Sequence, residues 1–193
     1  EAVEGEGQVV LLCGEAGIGK SRMIRSLCDR LADEQYRRVQ FQCSPYHTNT
    51  TLYPAINFLR EAAGLTGQDS AEAQLSKLEV LGIDSGIDTQ DTVALFADLL
   101  SIRVDHRYRP LNVSSETRKE MTLEALVHHL QKLADRCPLL FIVEDVHWLD
   151  PTTLDLMTRI IDRIRQMRVL LVITFRPDFK PVWADYSHVT FLT

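Results

Sequence analysis

The stretch GEAGIGKSR, Gly14 to Arg22, is where residue types and spacing could first do chemistry. It follows an apolar run and opens an amphipathic segment. Glycines allow a backbone to curl so that successive N–H groups converge on an anion, and the amino terminus of a following helix adds its positive end. Gly14, Gly19, Lys20 and Ser21 fit the spacing of a phosphate-binding loop, with Glu15, Ala16, Gly17, Ile18 and Arg22 completing the cradle. Lys20 would reach the β and γ phosphates as a point charge, and the Ser21 hydroxyl would ligate Mg²⁺. An ordinary glycine turn with a solvated lysine would not need strand, loop and helix in this order. The expectation is therefore a nucleoside triphosphate with Mg²⁺.

Such a site needs a carboxylate at the end of a neighbouring strand to hold the Mg²⁺ water shell, and often a second to orient the attacking water. LLFIVEDVHWLD supplies Glu144 and Asp145 directly after five apolar residues. Consecutive strand residues point to opposite faces, so the two acids divide the roles. Glu144, the first, is expected to face Ser21 and the metal, and Asp145 the γ-phosphate and its water. A register shifted by one residue would instead make Asp145 the metal acid and put Val146 in the second position. A third element, LLVITFRPDF, ends in Thr174 and Arg176, whose hydroxyl or guanidinium could sense the γ-phosphate. Arg176 before Pro177 could also be a plain surface arginine. Asp150 followed by Pro151 reads as a helix start rather than a catalytic acid. His147 and Trp148 fit a packed aromatic corner as well as a nucleotide or partner contact.

These residues require elements to hold them. VVLLC (9–13), LLFIV (139–143) and VLLVI (169–173) are short, continuously apolar and rich in branched residues, the pattern of strands buried on both faces of a parallel sheet. RVQFQCS (38–44) alternates and belongs nearer an edge, and HVTFLT could be a fifth strand. Apolar residues recur three or four apart from Met23 to Leu31, Leu123 to Leu133 and Leu154 to Ile164. Strand and helix alternate, which predicts an α/β, doubly wound, mostly parallel five-stranded sheet. Over 65–110 the pattern changes to a helical insertion, with one short helix closed by Gly82 and another near Val93 to Leu100, joined by DSGIDTQD.

With 193 residues and 45 % hydrophobic content the chain suits one domain, and a net charge of -6 argues against a surface built for nucleic acid or anionic lipid. No apolar run approaches the roughly 20 residues that span a bilayer, and EAVEGEGQ has no signal-peptide character, so a cytoplasmic protein is expected. Cys13, Cys28, Cys43 and Cys137 show no metal spacing and are expected reduced and buried. The end of the chain directly after the last strand suggests a piece of something longer.

Together, LLCGEAGIGKSR, FQCSPYHTNTTLYPAINFLRE, LLFIVEDVHWLDPTTLDLM and LLVITFRPDF resemble the AAA-type ATPase domain of large bacterial signalling proteins. Such domains stand beside class III adenylate or guanylate cyclase domains, or in large transcriptional regulators with a helix-turn-helix. CSPYHTNTTLYP resembles the cyclase-linked branch, and Tyr46 and His47 within it could line the nucleotide site or only cap a strand. The resemblance implies a P-loop NTPase fold and a switch ATPase related to the STAND class, with Gly14, Gly19, Lys20 and Ser21 as Walker A, Glu144 and Asp145 as Walker B, and Thr174 with Arg176 as the sensor 1 region. It departs in having Glu first, where much of the wider superfamily has Asp. The implied partners are ATP or ADP, cyclase, DNA-binding or helical-repeat domains of the same polypeptide, and a homo-oligomer, with no direct nucleic acid and no membrane. Adenine is expected over guanine, because nothing resembles the N/T-K-x-D segment that reads guanine. Two alternatives stand beside this one: a P-loop phosphotransferase with a small acceptor, and a nucleotide-gated interaction module that never turns over.

Overall fold

Five parallel strands form the sheet: β1 (Gln8–Cys13), β2 (Arg37–Gln42), β3 (Leu139–Glu144), β4 (Val169–Phe175) and β5 (Val189–Leu192), in the order β2-β3-β4-β1-β5. The structure is a computed structural model and describes residues 2–84, 90–104, 108 and 111–193. The apolar runs are central because they can be buried on both faces. Val9 and Leu11 of β1, Phe141, Ile142 and Val143 of β3, and Val169, Leu171 and Ile173 of β4 are fully buried. The alternating β2 lies at one edge, and β5 lies at the other, paired with β1.

The chain divides into two compact units, 1–53 with 134–193, and 54–133. The first carries the sheet. In it α1 (Lys20–Arg30) lays Ile24 against Leu140, Ile142 and Val172, with Leu27, Cys28 and Leu31 packed around them. Helix α6 (Pro151–Arg163) buries Thr153, Leu156, Met157, Ile160 and Ile161, a stripe at spacings of three and four. Trp183 closes this region, fully buried, its indole N–H donating to Thr158 at 3.0 Å.

The second unit is helical. It contains α2 from Pro54 onward (the helix spans Tyr53–Ala62), α3 (Ala71–Asp84), α4 (Gln90–Leu99) and α5 up to Leu133 (the helix spans Ser115–Arg136). Leu59, Leu75, Leu78, Phe96, Leu123 and Val127 are buried, and the His129 ring sits 5.9 Å from that of Phe58 and 5.8 Å from that of Phe96. The segment 65–110 lies inside this unit. One expectation is corrected: Gly82 does not close a helix, because α3 continues through it to Asp84. Leu78 and Leu81 are buried just before it, so packing carries the helix past a residue that propensity alone would place at its end. Of DSGIDTQD, residues 85–89 lie outside the described residues. Among the described residues no helix is long and apolar enough to cross a membrane.

Candidate functional site

Register places the chemistry at one end of the sheet. β4 lies between β1 and β3, with Cys13 level with Phe175 and Val143 level with Ile173. The ends of these strands therefore deliver the glycine loop, the acidic pair and Thr174 side by side, outside the carboxyl ends of parallel strands, where α/β sheets bind ligands.

The glycine loop begins where the Gly14 N–H donates to the Phe175 carbonyl at 3.1 Å. Gly17 and Gly19 have φ of 83° and 108°, the left-handed region that side chains disfavour. Gly19 is the N-cap of α1 and no side chain caps the helix there, so its first N–H groups stay available to an anion. Glu15, Ala16, Gly17, Ile18, Ser21 and Arg22 are exposed around this opening. Lys20 folds back over the loop, its Nζ donating to the carbonyls of Gly14 at 2.5 Å and Glu15 at 3.0 Å. A phosphate would draw the ammonium from two neutral acceptors to a charged one, a stronger partner.

Ser21 Oγ donates to Glu144 Oε2 at 3.3 Å, so the first acid faces the loop serine. Val146 is buried, 1 % exposed. The physical basis of the divided pair differs from simple alternation. β3 stops at Glu144, and Asp145 leaves the strand in a left-handed conformation with φ 60° and ψ 46°. Its N–H donates at 3.0 Å to the hydroxyl of Thr174, a side chain 2 % exposed. Thr174 is thus a clamp on the backbone of the second acid.

Arg176 and the two aromatic residues pack together. Its guanidinium lies 5.9 Å from the centre of the Trp148 ring, and the His147 ring lies 5.0 Å from it on a tilted plane. Both His147 ring nitrogens are hidden from solvent with no hydrogen-bond partner among the described residues. Burial holds the imidazole below the ordinary histidine range, aided by Arg176 and Lys20 and opposed by Asp145 and Asp178. Asp150 is the helix cap that its neighbour Pro151 implies, accepting from the amides of Thr152 at 3.0 Å and Thr153 at 3.1 Å. Ser44 caps the turn Pro45–His47; Tyr46 faces solvent, 90 % exposed, and His47 stacks on Tyr53 at 3.6 Å. The four cysteines are free, but only Cys43 is buried, the other three being half-buried. Burial first, then the charges of Asp145, Asp150 and Glu144, push the Cys43 thiol up to about 12, which keeps it an inert thiol.

One neighbour of the site was not apparent from motif spacing. Gln40, on β2, donates from Nε2 to Glu144 Oε1 at 2.7 Å. Its only signal is the alternation of RVQFQ, which puts Arg38, Gln40 and Gln42 on one face.

Residues 1–173 match the model of the AAA ATPase domain family. The chain belongs to that family. An uncharacterized protein of Rhizobium meliloti (strain 1021) is 35 % identical to this AAA domain over 187 residues, covering 96 % of the chain but 18 % of the relative, so the chain spans less than a fifth of that protein. Among solved structures, cbiO1 from Clostridium perfringens, part of an ABC transporter complex, is similar at 13 % identity and a TM-score of 0.37, over 96 % of this chain and 73 % of that one. Plasmid coupling protein TrwB is similar at 12 % identity and a TM-score of 0.32, over 90 % and 64 %. P-loop ATPases of this kind generally bind ATP with Mg²⁺. The residues present in this AAA domain fit that pair: an uncapped helix start behind two left-handed glycines suits phosphate, and a hydroxyl and a carboxylate oxygen 3.3 Å apart are the hard donors Mg²⁺ prefers.

Proposed function

We propose that this AAA domain is an ATP-binding, slowly hydrolysing regulatory switch within a larger cytoplasmic signalling protein, cyclase-linked or a transcriptional regulator. The observation that carries the reading is the Ser21–Glu144 contact beneath an open glycine loop, which joins a phosphate cradle to an acidic oxygen. In this role the loop amides and Lys20 bind the β and γ phosphates, and Arg176 directly, with Thr174 through the Asp145 backbone it holds, senses the γ-phosphate. Asp145 turns its carboxylate to the attacking water, its backbone held by Thr174. Mg²⁺, held by Ser21 and by Glu144 through water, would offset charge on the phosphate oxygens. The short reach of this chain along its relative supports a module whose output lies in other domains of one polypeptide. Slow turnover is expected of the chain alone, because an arginine added by a neighbouring domain or subunit can be worth roughly 10³–10⁵ in rate.

Binding should depend on Lys20. With Mg·ATP at about a hundredfold excess over Kd the ligand adds roughly 2.7 kcal/mol, so the thermal midpoint of the wild type rises and that of Lys20→Ala does not. An equal rise in both proteins would remove the reading of Gly14 to Ser21 as the phosphate-binding loop, and equal competition by GTP would remove the preference for adenine.

A further inference from the structure

We propose that Gln40 and Arg38 on the edge strand β2 are positioning residues for the Glu144 carboxylate and thereby set the divalent-cation dependence of nucleotide binding. The inference rests on the metal-shell role of Glu144 proposed above. Gln40 is level with Ile142, and Gln42 with Glu144, in a parallel register. Ile142 lies in the cluster beneath α1, so Gln40 shares that face and reaches one step along β3 to the acid.

The hydrogen bonds run in one direction. Arg38 Nη2 donates to Gln40 Oε1 at 2.7 Å, Gln40 Nε2 donates to Glu144 Oε1 at 2.7 Å, and Ser21 donates to Glu144 Oε2 at 3.3 Å. A guanidinium has only donors, so it fixes which end of the amide is oxygen and turns the NH₂ group towards Glu144. The carboxylate is then held by one oxygen and offers the other to the serine side, where the metal would sit.

Two features of this arrangement point to function rather than filling. Glu has one more rotatable bond than Asp, so a glutamate at this position has more freedom to lose before its oxygen can serve a metal shell. Gln40 removes that freedom. Its donor is also neutral: an arginine or lysine directly on Glu144 would cancel the charge a cation needs, whereas an amide holds the group and leaves the charge in place. Arg38 acts one residue removed, through the amide.

Partners that orient a metal-holding group typically change metal affinity by about 10–100-fold when removed. The experiment is a Mg²⁺ titration of the ATP-induced rise in thermal midpoint on the whole chain, with ATP in EDTA as the metal-free reference. Gln40→Met, which keeps the volume, and Gln40→Ala should raise the Mg²⁺ concentration for half-effect about tenfold while the shift in EDTA is unchanged. Arg38→Ala should raise it by a smaller factor, and Gln40→Asn should recover part of the loss. In a Glu144→Gln background, Gln40→Met should add nothing. Half-effect concentrations of both Gln40 variants within about twofold of wild type would overturn the inference, as would a full tenfold effect persisting in that background. If Glu144→Gln itself leaves Mg²⁺ dependence untouched, the metal-shell reading of Glu144 has failed; if it raises the requirement and the Gln40 variants do not, only the β2 inference has failed.

Discussion

Asp150→Ala tests whether the acid that follows the Glu144–Asp145 pair is architecture or chemistry. Asp150 is 7 % exposed and satisfies four donors: the amides of Thr152 and Thr153 through Oδ1, and the Thr153 hydroxyl and the Leu52 amide, the latter at 3.3 Å, through Oδ2. Loss of the cap costs about 1 kcal/mol. The Leu52 amide and the Thr153 hydroxyl are then left buried without an acceptor, at roughly 1–3 kcal/mol each where water cannot reach them. Leu52 is 3 % exposed and holds a left-handed φ of 58°, so that amide has little room to find another partner. Relaxation makes these terms less than additive, and the expected loss is about 3 kcal/mol, or roughly 6–12 °C in the thermal midpoint for a chain of this size. Asp150→Asn keeps one acceptor for the two helix amides but turns an NH₂ towards two donors, and should lose about half as much. Urea unfolding followed by the fluorescence of Trp148 and Trp183 should show a lower midpoint at constant slope. A loss below about 1 kcal/mol would refute the capping account. A normal urea midpoint with abolished phosphate release would return Asp150 to the chemistry.

Two further perturbations probe the same end of the sheet. Thr174→Val removes the acceptor of the Asp145 amide and should cost about 1–2 kcal/mol while slowing phosphate release more than it weakens ATP binding, with Thr174→Ser restoring both; loss of ATP binding alone would contradict the clamp. His147 carries a folded pKa below the ordinary 6.5, chiefly through burial, so the unfolded chain binds the proton more readily. Its contribution to stability is therefore complete above the unfolded pKa and is lost as pH falls below it, and His147→Gln should flatten the fall of the thermal midpoint as pH drops below about 6.5; parallel acid limbs would show that its burial has no such effect.

The central strands were legible because short branched apolar runs between polar turns have few other ways to be buried, and the glycine loop because its spacing came between a strand and a helix. Other elements lacked such a signal. The first turns of α5, from Ser115, read SETRKEMT and are polar but for Met121, so no apolar period marks them; Ser114 starts the helix by accepting from the Thr117 amide at 3.1 Å. Helix α2, opened by Tyr53 and Pro54, lies outside the three apolar periods at Met23 to Leu31, Leu123 to Leu133 and Leu154 to Ile164. Gln40 was hidden for a different reason. On an edge strand a polar residue in alternation looks like a solvated face, and only the register with β3 turns that face towards Glu144.

The acidic pair shows where local pattern reaches its limit. Strict alternation would send Glu144 and Asp145 to opposite faces of one continuing strand, and either register would then be open to them. The division depends instead on the strand stopping at Glu144. Asp145 can leave it in a left-handed conformation because an aspartate tolerates that region better than a branched residue, and because a hydroxyl waits for its amide. That hydroxyl belongs to Thr174, 29 residues later and on the adjacent strand. The first acid is meanwhile held from the opposite side by Gln40, more than a hundred residues earlier. Both constraints come from strands that flank β3 in space, so a one-residue shift of the pair would have to give up the Ser21 and Gln40 contacts of one acid and the Thr174 contact of the other together. The placement of the two carboxylates is therefore selected by the sheet order, and the roles proposed for them rest on which strands β3 has for neighbours.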